Sequence, residues 1–171
     1  MGRPAGADPV IAAAAQLAEA GCESPRLDAE LLLAEALGTS RAALYLMPAR
    51  ALDPAVRDRF EGLIARRAAR EPVAYILGRR GFRRLELAVD RRVLIPRPET
   101  ELLVEVGLEL PAGARVADVG TGSGAVALAL ADERPDLVLT GIDASADALI
   151  LARDNARRLG LEVSFLCGDL L

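Results

Sequence analysis

The fold is decided by one stretch, Asp118-Val119-Gly120-Thr121-Gly122-Ser123-Gly124. An apolar strand predicted at 115–119 leads into it, and a helix predicted at 125–131 follows it. Glycine at alternate positions permits positive φ and a close approach of the backbone to a ligand. The start of the following helix directs free N–H groups at the same place. Residues 120–124, here called the glycine loop, therefore predict a site for a nucleotide-like cofactor at a βα turn.

The rest of the chain indicates three parts. Helix starts such as Ser24-Pro25 and Asp53-Pro54 mark the first 70 residues as a small helical bundle. The period then changes to that of a β-hairpin. From residue 98 onward, apolar strands alternate with helices, which is typical of a parallel α/β sheet. We predict a helical domain at 1–72, a β-hairpin linker at 73–97 and three strands of a Rossmann-like sheet at 98–171. The first of these strands is expected to keep an unpaired edge and a bare apolar face.

Composition excludes several classes of function. The chain has no histidine, which rules out Ser-His or Cys-His catalysis and histidine-bound metals within these 171 residues. Its two cysteines are far apart in sequence, so neither a zinc site nor a redox motif is predicted, and a reduced cytoplasmic compartment fits. No apolar stretch is long enough to predict a membrane helix.

The acids at the strand ends distinguish between two cofactors. Dinucleotide sites use G-x-G-x-x-G, but the third glycine comes one residue earlier here, which disfavours a dinucleotide-dependent oxidoreductase. Asp143, 19 residues after Gly124, ends the second strand and can accept hydrogen bonds from ribose hydroxyls. Asp169 follows the third strand, where an acid can accept from an adenine amino group. Such acids favour S-adenosyl-L-methionine, which lacks a pyrophosphate and carries positive charge.

Four segments resemble one known family: residues 24–33, 70–78, 94–101 (Leu-Ile-Pro-Arg-Pro-Glu-Thr-Glu) and 116–131. The chain is similar to the HemK family, the glutamine N5-methyltransferases of peptide chain release factors. The resemblance implies the first part of an S-adenosylmethionine-dependent methyltransferase fold and a release factor as partner. It implies a cofactor site formed by Gly120, Thr121, Gly122, Ser123, Gly124, Asp143, Asp169 and Leu170. It also implies that Arg97, Pro98, Glu99 and Thr100 lie on the substrate side, although Pro98-Glu99-Thr100 is equally a competent helix start.

The resemblance further implies a catalytic Asn-Pro-Pro-Tyr motif after a fourth strand. No Asn-Pro-Pro occurs up to Leu171, and the one asparagine, Asn155, falls in a predicted helix. Catalytic residues are therefore expected beyond Leu171, the chain is expected to be a fragment of a longer protein, and no turnover is expected from this chain alone. The alternatives are an N-methyltransferase acting on a ribosomal protein or nucleic acid, and a non-catalytic partner-binding fragment.

An arginine-rich stretch raises the question of a nucleic-acid or protein-docking surface. Its members are Arg66, Arg67, Arg70, Arg79, Arg80, Arg83 and Arg84. Few aromatic residues accompany them, so base stacking is not supported. A solvated helix face followed by an exposed hairpin is the favoured interpretation, and nucleic acid is not expected as the direct substrate.

Overall fold

A computed structural model describes residues 8–46 and 52–169. The chain divides between Leu77 and Gly78 into a helical unit, Met1–Leu77, and a sheet unit, Gly78–Leu171. Leu170, predicted to belong to the cofactor site, lies outside the described residues. None of the helices within the described ranges is long and apolar enough to cross a membrane.

Capping residues followed by proline start most of the longer helices of the helical unit. The helices in the described part of this unit are α1 (Pro9–Glu19), α2 (Pro25–Leu37), α3 (Arg41–Leu44), α4 (Pro54–Ala68) and α5 (Val73–Leu77). The carboxylate of Asp53 accepts a hydrogen bond from the Ala55 N–H at 2.9 Å, which satisfies one free donor at the start of α4. Leu17, Leu32 and Phe60 bring α1, α2 and α4 together in one apolar core.

A buried carboxylate fastens α3 to α2. Glu30 in α2 accepts hydrogen bonds from Arg26 Nε at 3.1 Å, from Arg41 Nε at 2.7 Å and from the Tyr45 hydroxyl at 3.0 Å. The hydrogen bond from Arg41 is the main reason why the pKa of Glu30 lies below its usual value, although burial acts in the opposite direction. Three donors on one carboxylate satisfy a charge that would otherwise be costly to bury.

Replacing Glu30 with alanine is expected to lower the melting temperature of the helical unit by ~10 °C at neutral pH, because the two guanidinium groups lose their shared acceptor. The stabilisation is complete above the ordinary glutamate pKa and is lost as the pH falls through the lowered pKa of the folded protein. The difference between wild type and variant should therefore vanish in acid. Tyrosine fluorescence measures this unit selectively, since Tyr45 and Tyr75 are the only tyrosines and the chain has no tryptophan.

Glu61 provides the matched control for this prediction. It is an exposed glutamate on α4, so Glu61→Ala removes the same charge without breaking a buried cluster. We expect its melting temperature to stay within ~2 °C of wild type, as is usual for surface substitutions. Equal losses in both variants would mean that net charge, and not the Glu30 cluster, determines the stability.

The sheet unit begins with a hairpin and continues as a parallel sheet. Its elements are β1 (Arg79–Phe82), β2 (Leu85–Ala88), a 3₁₀ turn (Pro98–Thr100), α6 (Glu101–Leu108), β3 (Arg115–Val119), α7 (Ala125–Glu133), β4 (Val138–Asp143), α8 (Ala146–Leu159) and β5 (Ser164–Cys167). β1 and β2 pair antiparallel, and the second sheet has the order β3-β4-β5 with both pairs parallel. The predicted α/β fold class is thus confirmed.

The predicted edge and bare face of the first strand are both present. β3 pairs with β4 on one side only within the described sheet. Both crossovers step in the same direction across this sheet, and right-handed connections then bring α7 and α8 to the same face. On the other face Val119, Val138 and Leu166 are more than half exposed. An apolar surface of this kind marks either an interaction site or a liability to aggregate.

Two local predictions differ from the structure. Residues 73–77, assigned to the hairpin linker, instead form helix α5, because Ile76 is buried in the core of the helical unit. The helix predicted from Glu99 to Leu110 starts as a 3₁₀ turn at Pro98–Thr100 and becomes α-helical only over Glu101–Leu108. The functional division at 72/73 and 97/98 stays a prediction.

Candidate functional site

The glycine loop connects the end of β3 to the start of α7. Its three glycines have φ values of 75°, 55° and 84°, in the left-handed region that side chains disfavour. The N–H groups of Gly120 and Thr121 both donate to the carbonyl oxygen of Ile142, at 2.8 and 3.0 Å. The turn is therefore anchored to the carboxyl end of β4, the edge of a parallel sheet at which ligands bind in open α/β folds.

Asp143, the last residue of β4, contacts the loop directly. Its Oδ2 accepts from the Gly122 N–H at 2.9 Å, and its Oδ1 accepts from the Ser145 N–H at 2.9 Å. A carboxylate has about four lone-pair positions, so each oxygen retains acceptor capacity for a ligand hydroxyl. The structure thus brings together two predicted parts of the site, the glycine loop and the acid after the second strand.

Asp118 stabilises the loop from behind. Its Oδ2 accepts from the Thr121 hydroxyl at 2.7 Å and from the Ala127 N–H at 3.2 Å. Burial raises the pKa of the Asp118 carboxyl and the negative charge of Asp143 adds to this, whereas the two hydrogen bonds act in the opposite direction. Because both of these donors belong to the loop and α7, Asp118 is a residue that orients the turn.

The other predicted site residues lie in two places. Asp169 is exposed two residues after β5, and the neighbouring Gly168 N–H donates to the Asp143 carbonyl at 3.1 Å, so Gly168 lies beside the end of β4. Arg97, Pro98 and Glu99 are exposed. No hydrogen bond or ion pair joins residues 97–100 to the glycine loop in the described part of the chain, and their visible role there is to start α6.

Sequence reasoning missed one residue at the loop. Asn155 of α8 is completely buried, and its Nδ2 donates to the Ser123 carbonyl at 3.0 Å. The signal that could have identified it is its position on the apolar face of α8, beside Leu151, Ala152 and Ala156. A polar side chain in an apolar stripe needs hydrogen-bond partners, and here one partner is the loop itself.

The arginine-rich stretch is largely neutralised within the molecule. The paired members are Arg66 with Glu71, Arg67 with Asp28, Arg79 with Glu86, Arg83 with Glu133 and Glu105, and Arg84 with Asp132. Arg70 instead donates to the carbonyl oxygen of Gly21. Phosphate binding depends on cations that are available to the ligand, so these pairs argue against a nucleic-acid surface.

Two family models match the chain. Residues 10–78 match the model described as PrmC N-terminal domain, and residues 98–171 match the model described as methyltransferase small domain. A "release factor glutamine methyltransferase" of Rhodospirillum rubrum is 47% identical over 90% of this chain and 49% of its own length. Relatives of the same name from Vibrio cholerae and Deinococcus radiodurans are 47% and 42% identical, over 88% and 96% of this chain and 53% and 60% of theirs.

Similarity to solved structures is weaker. An S-adenosylmethionine-dependent methyltransferase of Geobacter sulfurreducens in complex with S-adenosyl-L-homocysteine is 35% identical, over 43% of this chain and 30% of that chain, with a TM-score of 0.37. The fold is shown by the parallel strand order β3-β4-β5. The present chain spans about half the length of the curated relatives that it matches. By sequence, the chain belongs to the family whose curated relatives are named release factor glutamine methyltransferases.

Proposed function

We propose that the glycine loop and Asp143 bind S-adenosyl-L-methionine. The observation that carries this proposal is the contact between the Gly122 N–H and the Asp143 carboxylate, which assembles backbone donors and an acid acceptor at one strand edge. The acid would accept hydrogen bonds from ribose hydroxyls, while the largely buried loop and the start of α7 would approach the methionine part. Asp169 and Leu170 are proposed to contact the adenine.

The reaction that we propose for the whole protein is transfer of the methyl group to the side-chain amide nitrogen of the glutamine in the Gly-Gly-Gln motif of release factors. Relatives that are 42–51% identical to this chain are named release factor glutamine methyltransferases, which supports the proposal. Release factors would be the partner, the process translation termination and the compartment the cytoplasm. The helical domain at 1–72 and residues Arg97, Pro98, Glu99 and Thr100 are proposed to recognise the substrate.

The amide nitrogen of glutamine is a poor nucleophile, because its lone pair is delocalised into the carbonyl group. Acceptors that hold both amide hydrogens orient the nitrogen toward the methyl group and oppose this delocalisation. In the family resemblance the Asn-Pro-Pro-Tyr motif has that role, and residues 1–171 contain no Asn-Pro-Pro. We therefore propose that these 171 residues by themselves bind the cofactor without turnover.

Two measurements test the proposed function. Calorimetry on the 171-residue chain should detect one molecule of S-adenosyl-L-homocysteine bound per chain. A chimera that joins these residues to the carboxyl-terminal half of the Vibrio cholerae relative should then transfer radiolabelled methyl groups to a release factor, but not to a variant lacking the Gly-Gly-Gln glutamine. Label in RNA or in a ribosomal protein would contradict the proposed substrate, and the 171-residue chain alone should label none of these.

A further inference from the structure

One side chain connects the glycine loop to the hairpin. Asn155 donates through Nδ2 to the carbonyl oxygens of Ser123 and Ala88, both at 3.0 Å, and its Oδ1 accepts from the Ala88 N–H at 2.8 Å. A second donor, Arg158 Nη1, lies 3.4 Å from Oδ1. The three shorter bonds all go to backbone groups, 32 and 67 residues away in sequence.

The bonds to Ala88 imitate strand pairing. Ala88 is the last residue of β2, and its N–H and C=O both bind the Asn155 amide, as they would bind a neighbouring strand. The next residue, Val89, donates its N–H to Gly78 within the hairpin. Ala88 is thus the point at which the hairpin is attached to α8 by its backbone.

The bond to Ser123 fixes the closing turn of the loop. The Ser123 carbonyl and the Gly124 N–H belong to one planar peptide group, so fixing the oxygen also fixes the direction of the N–H. That N–H donates to the Thr121 carbonyl at 2.8 Å. Asn155 therefore fixes the orientation of the peptide group between Ser123 and Gly124, and the N–H of this peptide group closes the turn over Thr121–Gly124.

We propose that Asn155 is a positioning residue that couples cofactor binding in the glycine loop to the attachment of the hairpin. This inference rests on the proposed binding of S-adenosyl-L-methionine. A loop that is ordered by its ligand holds the Ser123 carbonyl in place, which keeps the Asn155 amide aligned with Ala88. Opening of the hairpin at Ala88 and release of the cofactor are then linked in both directions.

The sharpest variant is Asn155→Asp. Aspartate keeps the size of the side chain but removes both N–H donors, and the oxygen that replaces Nδ2 then faces the carbonyl oxygens of Ser123 and Ala88. We expect the affinity of the chain for S-adenosyl-L-homocysteine, measured by calorimetry, to fall by about tenfold. The control is Asp154→Asn, a charge change on the adjacent residue, which forms an ion pair with Arg157 at the surface; the affinity of this variant should stay within about twofold of wild type.

Hydrogen exchange on the wild-type chain tests the coupling without any variant. At a concentration of S-adenosyl-L-homocysteine ~100-fold above its Kd, openings that release the loop are strongly suppressed. We expect exchange at the Ala88 N–H to slow by about tenfold, and by clearly more than at the Val89 N–H, whose acceptor is Gly78. A general tightening of the hairpin, in contrast, would slow both amides equally.

The outcomes separate the two proposals. No binding of S-adenosyl-L-homocysteine by the wild-type chain would overturn the proposed function and this inference together. Binding by wild type with unchanged affinity in a folded Asn155→Asp protein would overturn the role of Asn155 alone. Should that variant not fold, the exchange result decides, and an unchanged or equal response of Ala88 and Val89 would overturn the coupling.

Discussion

Replacing Asp143 with alanine is expected to weaken the binding of S-adenosyl-L-homocysteine by about 100-fold or more. A hydrogen bond to a charged group contributes ~1.5–3 kcal/mol, and the carboxylate is proposed to accept two from the ribose. The variant also frees the N–H groups of Gly122 and Ser145, so the loop and the start of α8 lose a shared anchor. Calorimetry on the 171-residue chain measures the affinity, and circular dichroism checks that the variant is folded.

Asp147 is the matched control for this change. It is an exposed acid in the first turn of α8, so Asp147→Ala removes the same charge close to the same strand end. If long-range attraction of the ligand's ammonium group dominated, both variants would lose affinity for S-adenosyl-L-homocysteine, whereas a direct contact predicts less than about a twofold effect for Asp147. Similar losses of affinity in the two variants would contradict the proposed contact between Asp143 and the ribose.

The part of the site that could be predicted is local in sequence. The alternating glycines and the apolar strand before them are contiguous, and Asp143 is identified by its position at the end of the next strand. Parallel strands bring their carboxyl ends to one edge, so the contact between Gly122 and Asp143 follows from the order of elements. The same reasoning identified the exposed edge of β3.

What could not be predicted depends on partners distant in sequence. Asn155 looks like an ordinary helix residue until Ala88 and Ser123 are brought beside it. The arginine-rich stretch looks like a basic surface until Arg83 meets Glu133, 50 residues later in the chain. Composition reports how many charges a segment carries, but only tertiary structure determines which of them remain available to a partner.

Helix α5 could not be predicted from the sequence for a different reason. Five residues are too few to show a helical period, and the flanking Gly78 and Gly81 favoured the hairpin interpretation. Burial of Ile76 in the helical unit outweighs that weak local preference. The same tertiary effect did not disturb the hairpin itself, which the apolar residues Phe82, Leu85 and Leu87 indicate and which the antiparallel pairing of β1 and β2 confirms.

Replacing Gly141 with valine is expected to destabilise the sheet unit by ~3 kcal/mol or more. Gly141 is buried in β4, the central strand, where a Cβ atom would lie 2.8 Å from two ring carbons of Phe165 and 2.9 Å from the Thr121 hydroxyl oxygen. Overpacking a core typically costs ~1–3 kcal/mol, and valine adds two methyl groups beyond that Cβ. Moving Thr121 aside would also disturb its hydrogen bond to Asp118. Urea unfolding followed by far-ultraviolet circular dichroism measures the loss.

A double-mutant cycle identifies the cause of that loss. In Gly141→Ala the clash is limited to the Cβ atom, so adding Phe165→Leu should relieve the part of it that involves the ring, and the double variant should be more stable than the two single losses predict. Gly168→Ala is the control, because its Cβ would meet Ile142 Cγ2 at an ordinary 3.8 Å. Tyrosine fluorescence, confined to the helical unit, should report no change in any of these variants. Strictly additive losses at Gly141 and Phe165 would show that close packing between β4 and β5 is not what requires glycine there.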